Sequence, residues 1–166
     1  MVEIDENARI WEYLSPNQKG LIKEGLFLLH DITEHPRLEI SDYSYVVFPF
    51  AKAYEGFLKQ LFLDCSFITK EQYGGDHFRI GRALNPHLEK HLRWESIYDK
   101  VVEATGDRIL ADRMWSIWKQ GRNLVFHYFP HNFRALSFSE AESIIQEILR
   151  VMDESIVELQ TRLPRK

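Results

Sequence analysis

Residues 107–128 read DRILADRMWSIWKQGRNLVFHY. Asp107 has the side-chain acceptor of an N-cap, and Pro130 stands two residues past Tyr128, where a helix must stop. Between them the apolar residues recur at spacings of three and four, the period of a helix and not of a strand. At about 100° per residue, Leu110, Met114, Ile117, Gly121, Leu124, Val125 and Tyr128 share one side and form a core stripe. Trp115, Lys119 and Phe126 occupy the other half, with Asn123 and His127 one turn apart and Arg122 beside them. Two large rings beside a polar trio mark a face that meets another surface.

The same helical period extends in both directions. A short amphipathic segment covers Asn7 to Leu14 and stops at Ser15-Pro16. A long helix is predicted from Asn17 to Thr33, with Leu21, Ile22, Gly25, Leu28, Leu29 and Ile32 inward, ending before Pro36. A second runs from Ser41 or Asp42 to Cys65, kinked or split at Pro49, with Val46, Phe50, Ala53, Tyr54, Phe57 and Leu61 as its core stripe. Tyr73-Gly74-Gly75-Asp76 reads as a turn, with Asp76 capping a short helix that Asn85-Pro86 terminates. Another helix is expected from His87 to Arg93 or beyond, continuing toward Thr105-Gly106. The last opens with the capping box Ser139-Glu140-Ala141-Glu142 and reaches about Arg162. Neither a repeat nor a linker interrupts the chain. The expectation is one all-α domain over residues 1–166, a bundle of four to five principal helices plus short ones.

Composition narrows the function. The chain has 166 residues, 45% hydrophobic and 28% charged, with a formal net charge of −4. That balance is wrong for a protein that coats nucleic acid, although a local basic cleft is compatible with it. The longest apolar runs fall short of the roughly 20 residues of a membrane span. The acidic first residues lack a signal-peptide pattern, and a lone Cys65 suits a reducing compartment, so a cytoplasmic protein is expected.

Arg122-Asn123-Leu124-Val125-Phe126-His127 spells R-N-x-x-x-H. The motif and the helical layout resemble the HEPN superfamily, many of whose members are metal-independent ribonucleases and toxins of bacterial conflict systems. The resemblance covers that one helix and the general architecture. It implies a homodimer through the motif helix, with Trp115 and Phe126 at the interface, and a cleft lined by two Arg/His sets. It also implies RNA as substrate, no cofactor, no metal, and an antitoxin protein as partner. Toxins of this kind that are paired with nucleotidyltransferase antitoxins often carry a tyrosine two residues after the histidine. Phe129 stands there in this chain, with Tyr128 directly after His127, so another antitoxin type is at least as well matched.

The residue types suit the chemistry. Cleavage by the neighbouring ribose 2′-hydroxyl needs a group that titrates near neutrality, which His127 supplies. It also needs a permanent planar cation for the developing phosphate charge, which Arg122 supplies. Asn123 would orient the histidine or the phosphate. Glu55, in Ala53-Tyr54-Glu55-Gly56-Phe57-Leu58-Lys59, points away from the core stripe. It matches the helix that carries a glutamate in ribonuclease LS-type toxins and would set the tautomer of His127 or move a second proton. The competing reading is a helix-surface ion pair with Lys59. Lys59, Lys119 and His131 are candidate substrate contacts. A non-catalytic module holding RNA, a nucleotide or a protein through the same residues is the alternative function. His87 and His91 have the i,i+4 spacing of metal ligands but no third or fourth ligand pattern, so they read as an exposed helix face.

Overall fold

Helix Ser44–Asp64 is the axis around which the other elements pack. The computed structural model describes every residue except 1, 3, 36–39, 129, 165 and 166. Pro36 and Phe129 therefore lie outside the described residues, while the stop expected before Pro36 is seen, the helix ending at Glu34. In chain order the α-helices are α1 (Arg9–Tyr13), α2 (Pro16–Glu34), α3 (Ser44–Asp64), α4 (Lys70–Gly74), α5 (Ile80–Ala83), α6 (Ile97–Thr105), α7 (Ile109–Trp118) and α8 (Phe138–Glu158). A 3-10 turn at Lys90–Glu95 precedes α6, and a π-helical turn at Lys119–Leu124 prolongs α7. The fold is all-α, with no strand among the described residues, and α2, α3, α6, α7 and α8 are its principal helices. No described helix is long and apolar enough to cross a membrane.

The stripe expected on α3 is the centre of the core: Val46, Phe50, Ala53, Tyr54, Phe57 and Leu61 are each at most 1% exposed. α2 packs on one side of it and α8 on the other, and α7 closes the bundle against α8. Pro49 sits inside α3 without splitting it, although it offers no amide hydrogen to the preceding turn. α2 can approach because Gly25 has no side chain; a Cβ there would run into the ring of Phe50. The hydroxyl of the fully buried Tyr54 donates to the Met114 carbonyl at 3.2 Å and ties α3 to α7.

Several boundaries differ from the sequence reading, each for a local reason. α2 begins at Pro16, because Ser15 and Gln18 form a reciprocal capping box. Thr69 and Gln72 form another, so Tyr73 and Gly74 belong to α4 and not to a turn. Asp76 caps nothing: α5 starts after Arg79 without a side-chain cap. The segment 87–105 is broken at Ser96, whose hydroxyl accepts from the Asp99 amide at 3.1 Å and starts α6 afresh. His87 consequently lies outside any helix while His91 lies in the 3-10 turn, and the two do not share a helical face.

α8 starts two residues before the expected box. Two S-x-x-E strings overlap here, and the earlier one, Ser137 with Glu140, makes the cap. The chain ahead of it is pinned to α3: the Tyr43 amide donates to the Leu136 carbonyl at 2.9 Å, and the Leu136 amide to Asp42 at 3.1 Å. That anchor fixes where the helix can begin. Its ordered helix ends at Glu158, short of Arg162.

Candidate functional site

The motif helix does not continue to Tyr128. α7 gives way at Lys119 to a π-helical turn, which ends at Leu124. A π turn holds more residues than the 3.6 of an α turn, so the face read from 100° steps fails from this point. The expected core stripe holds for Leu110, Met114, Ile117 and Gly121, which are buried. Leu124 and Val125 are only half-buried, and Tyr128 is 80% exposed. Asn123 and His127 are both exposed, and His127 lies past the helix end, so the expected one-turn stack of the two does not form. Gly121 lets the turn seat closely on α8, since a Cβ would meet Ile144 and Ile148 at 3.2 Å.

What the turn does is aim Arg122 at α3. Its Nε lies 3.6 Å from Oε2 of Glu55, and its guanidinium carbon stands 5.3 Å from the centre of the Trp118 ring. The arginine is thus held between a carboxylate and an aromatic face, a geometry that suits a flat, weakly hydrated cation. Both side chains of the pair are partly solvated, at 43% and 34% exposure, so the pair contributes at most about 1 kcal/mol. The contact runs through Nε and leaves the terminal nitrogens to receive an oxyanion.

A second contact fixes the direction of the chain. Phe126 meets Phe48 edge-on, with ring centres 5.5 Å apart, and Lys52 Nζ stands 6.0 Å from the Phe48 ring. Residues 122 to 126 therefore run antiparallel to α3 from Glu55 back to Phe48, a rise of about 10 Å along that helix. Phe48 and Phe126 remain 51% and 38% exposed. His127 follows Phe126 and makes no hydrogen bond or ion pair among the described residues.

The predicted site residues are thus only partly assembled. Glu55 and Arg122 are brought together, and neither Glu55 nor Asn123 hydrogen-bonds to His127. Glu55 pairs with Arg122 and not with Lys59, which lies one turn further along the same side of α3. Lys119 is exposed on another flank of the π turn, where it lines a cavity of about 330 Å³ with Leu124, Val125 and Arg134. His131 is exposed in a short turn with φ of 63°, a left-handed backbone uncommon outside glycine. Trp115 is half-buried against its own core and is not an open ring. The sequence reading missed Trp118, Phe48 and Lys52. The last two were findable, since Phe48, Lys52, Glu55 and Lys59 are spaced four, three and four apart and share a helix face.

Among the described residues, no group of three or more His, Cys, Asp or Glu is placed to hold a metal ion. Cys65 is buried at the end of α3, and burial, reinforced by the Asp64 carboxylate, pushes its thiol up to about 12. Comparison with protein-family models, curated proteins and solved structures gave no match.

Proposed function

We propose that this chain is a HEPN-type endoribonuclease that cleaves RNA without a metal ion, with Arg122 and His127 as its principal groups. The reading rests on Arg122 being held at the surface between Trp118 and Glu55, on the strand of chain that presents an exposed His127. In it, His127 removes the 2′-hydroxyl proton, that oxygen attacks the adjacent phosphorus, and the 5′-oxygen leaves with a proton from a second acid. Arg122 neutralises the charge on the non-bridging oxygens. The phosphate takes the terminal nitrogens of Arg122, and the Glu55 carboxylate beside Nε opposes its charge. A homodimer would supply the second acid as the other copy's His127, with Phe126 at the joint. Cytoplasmic action as a toxin or antiphage effector, restrained by an antitoxin protein, completes the proposal.

The exposed, unorientated imidazole of His127 favours a second reading, a non-catalytic module that holds RNA, a nucleotide or a protein partner chiefly through Arg122. Purified wild type and His127→Ala, incubated with total RNA in excess EDTA, separate the two. Cleavage by wild type alone, leaving cyclic-phosphate ends, is the expected result. Binding that is lost in Arg122→Ala, with no fragments from a folded wild type, would replace the enzyme by the binding module. Equal cleavage by both proteins would remove His127 from the site.

A further inference from the structure

A second cavity, of about 670 Å³, lies between the end of α3 and the segment that runs through α5 to α6. That is the volume of a small-molecule site. Its apolar wall includes Ile68, Ala83 and Ile97, all buried. Three cations also line it, Arg79, Arg82 and Lys100, and each is only partly engaged. Lys100 Nζ donates to the Phe67 carbonyl at 2.7 Å and retains two further donors. Arg82 meets Glu95 through one terminal nitrogen at 2.7 Å, and Arg79 donates from Nη1 to the Asp76 carbonyl. The carboxylates of the lining are Glu95, already engaged by Arg82, and Glu71 on the exposed rim. The site therefore holds donors in excess of acceptors. At its edge stands Trp94, 72% exposed, a large ring left in water.

This cavity is separate from the Arg122 cluster. α5 stands between them: Arg82 and Ala83 line the cavity, while a Cβ on Gly81 would come within 2.6 Å of Trp118 Nε1.

We propose that the cavity binds a small aromatic phosphate of the nucleoside monophosphate class. The phosphate would take the free donors of Arg79, Arg82 and Lys100, and the ring would lie between Trp94 and the apolar wall. A monophosphate suits the site better than inorganic phosphate, because the donors occupy only part of a space whose remainder is apolar. It suits the site better than a neutral nucleoside, because an uncharged ligand leaves the spare donors of the three cations without an acceptor.

Isothermal titration of the full chain with adenosine 5′-monophosphate, adenosine and inorganic phosphate tests this. The monophosphate should bind with a stoichiometry of one per chain, and each fragment about tenfold or more weaker. Arg79→Ala and Trp94→Ala, both at exposed positions where folding is insensitive, should each weaken the monophosphate about tenfold. Arg122→Ala should leave it unchanged. No binding at millimolar monophosphate would overturn the proposal. So would equal binding of inorganic phosphate, or loss in Arg122→Ala with retention in both cavity variants. Because Arg122→Ala is the control, this outcome and that of the RNA cleavage assay are independent.

Discussion

Glu55 Oε2 and Arg122 Nε lie 3.6 Å apart, joining the middle of α3 to the π-helical turn that ends α7. In the sequence these residues belong to separate helices. In the fold they are one unit, an arginine already partly neutralised and resting on Trp118. Any anion bound by the terminal nitrogens of Arg122 is opposed by the charge of Glu55.

Glu55→Gln should therefore strengthen RNA binding several-fold while changing stability by less than about 1 kcal/mol. Fluorescence anisotropy with a short RNA at two salt concentrations checks it. If Glu55 also moves a proton, the same variant will bind more tightly and cleave more slowly. Unchanged affinity would show that Arg122 does not receive the phosphate.

Trp118→Leu removes the ring beneath Arg122 and opens space beside Gly81. The truncation of a buried aromatic should cost a few kcal/mol of stability, and RNA affinity should fall in parallel with Arg122→Ala. Denaturant unfolding and anisotropy together check it. A normal affinity in the folded variant would reduce Trp118 to packing alone.

Gly25→Ala should destabilise the protein by about 1–3 kcal/mol, although alanine is the better helix former. The added Cβ must displace Phe50, which is fully buried. A lowered urea midpoint at unchanged slope is the expected signature.

Ser66→Gly should act in the opposite sense. Ser66 follows the end of α3 with φ of 59°, and the Phe67 amide closes back on the Phe62 carbonyl at 2.8 Å. This is the helix-ending position that glycine fills without steric cost, and the gain should be about 0.5–1 kcal/mol. A higher melting temperature checks it.

Cys65 sets a pH dependence with a defined sign. Its thiol is raised from an ordinary 9.0 to about 12, mainly by burial. The folded state therefore holds a proton that the unfolded state releases. This contribution to stability is complete below pH 9 and is lost progressively as pH rises toward 12. Tyr13, half-buried beside Asp64 and hydrogen-bonded to it, is raised as well and adds to the loss at still higher pH. Native Cys65 should react only slowly with a thiol reagent at pH 8 and fully after unfolding. Cys65→Ala should flatten the decline in stability between pH 9 and 12.

The sequence by itself determined the all-α class, the inward face of α3 and the first half of the motif helix. It could do so because burial of an apolar stripe at a helical period is a local property of the chain. It also marked Arg122 and His127 as candidates through the R-N-x-x-x-H spelling, and Glu55 through the resemblance that spelling carries. The cap of α8 was legible only as two overlapping strings, and the tie of Leu136 to Asp42 and Tyr43 chose between them. Tertiary structure alone decided the site. The π turn changed the helical phase after Lys119, which exposed Tyr128 and carried His127 beyond the helix end. The packing of the π turn against α3 then selected Arg122 as the partner of Glu55. A fixed angle per residue holds only while the hydrogen-bond register holds, and which side chains meet across helices depends on packing that no single helix encodes.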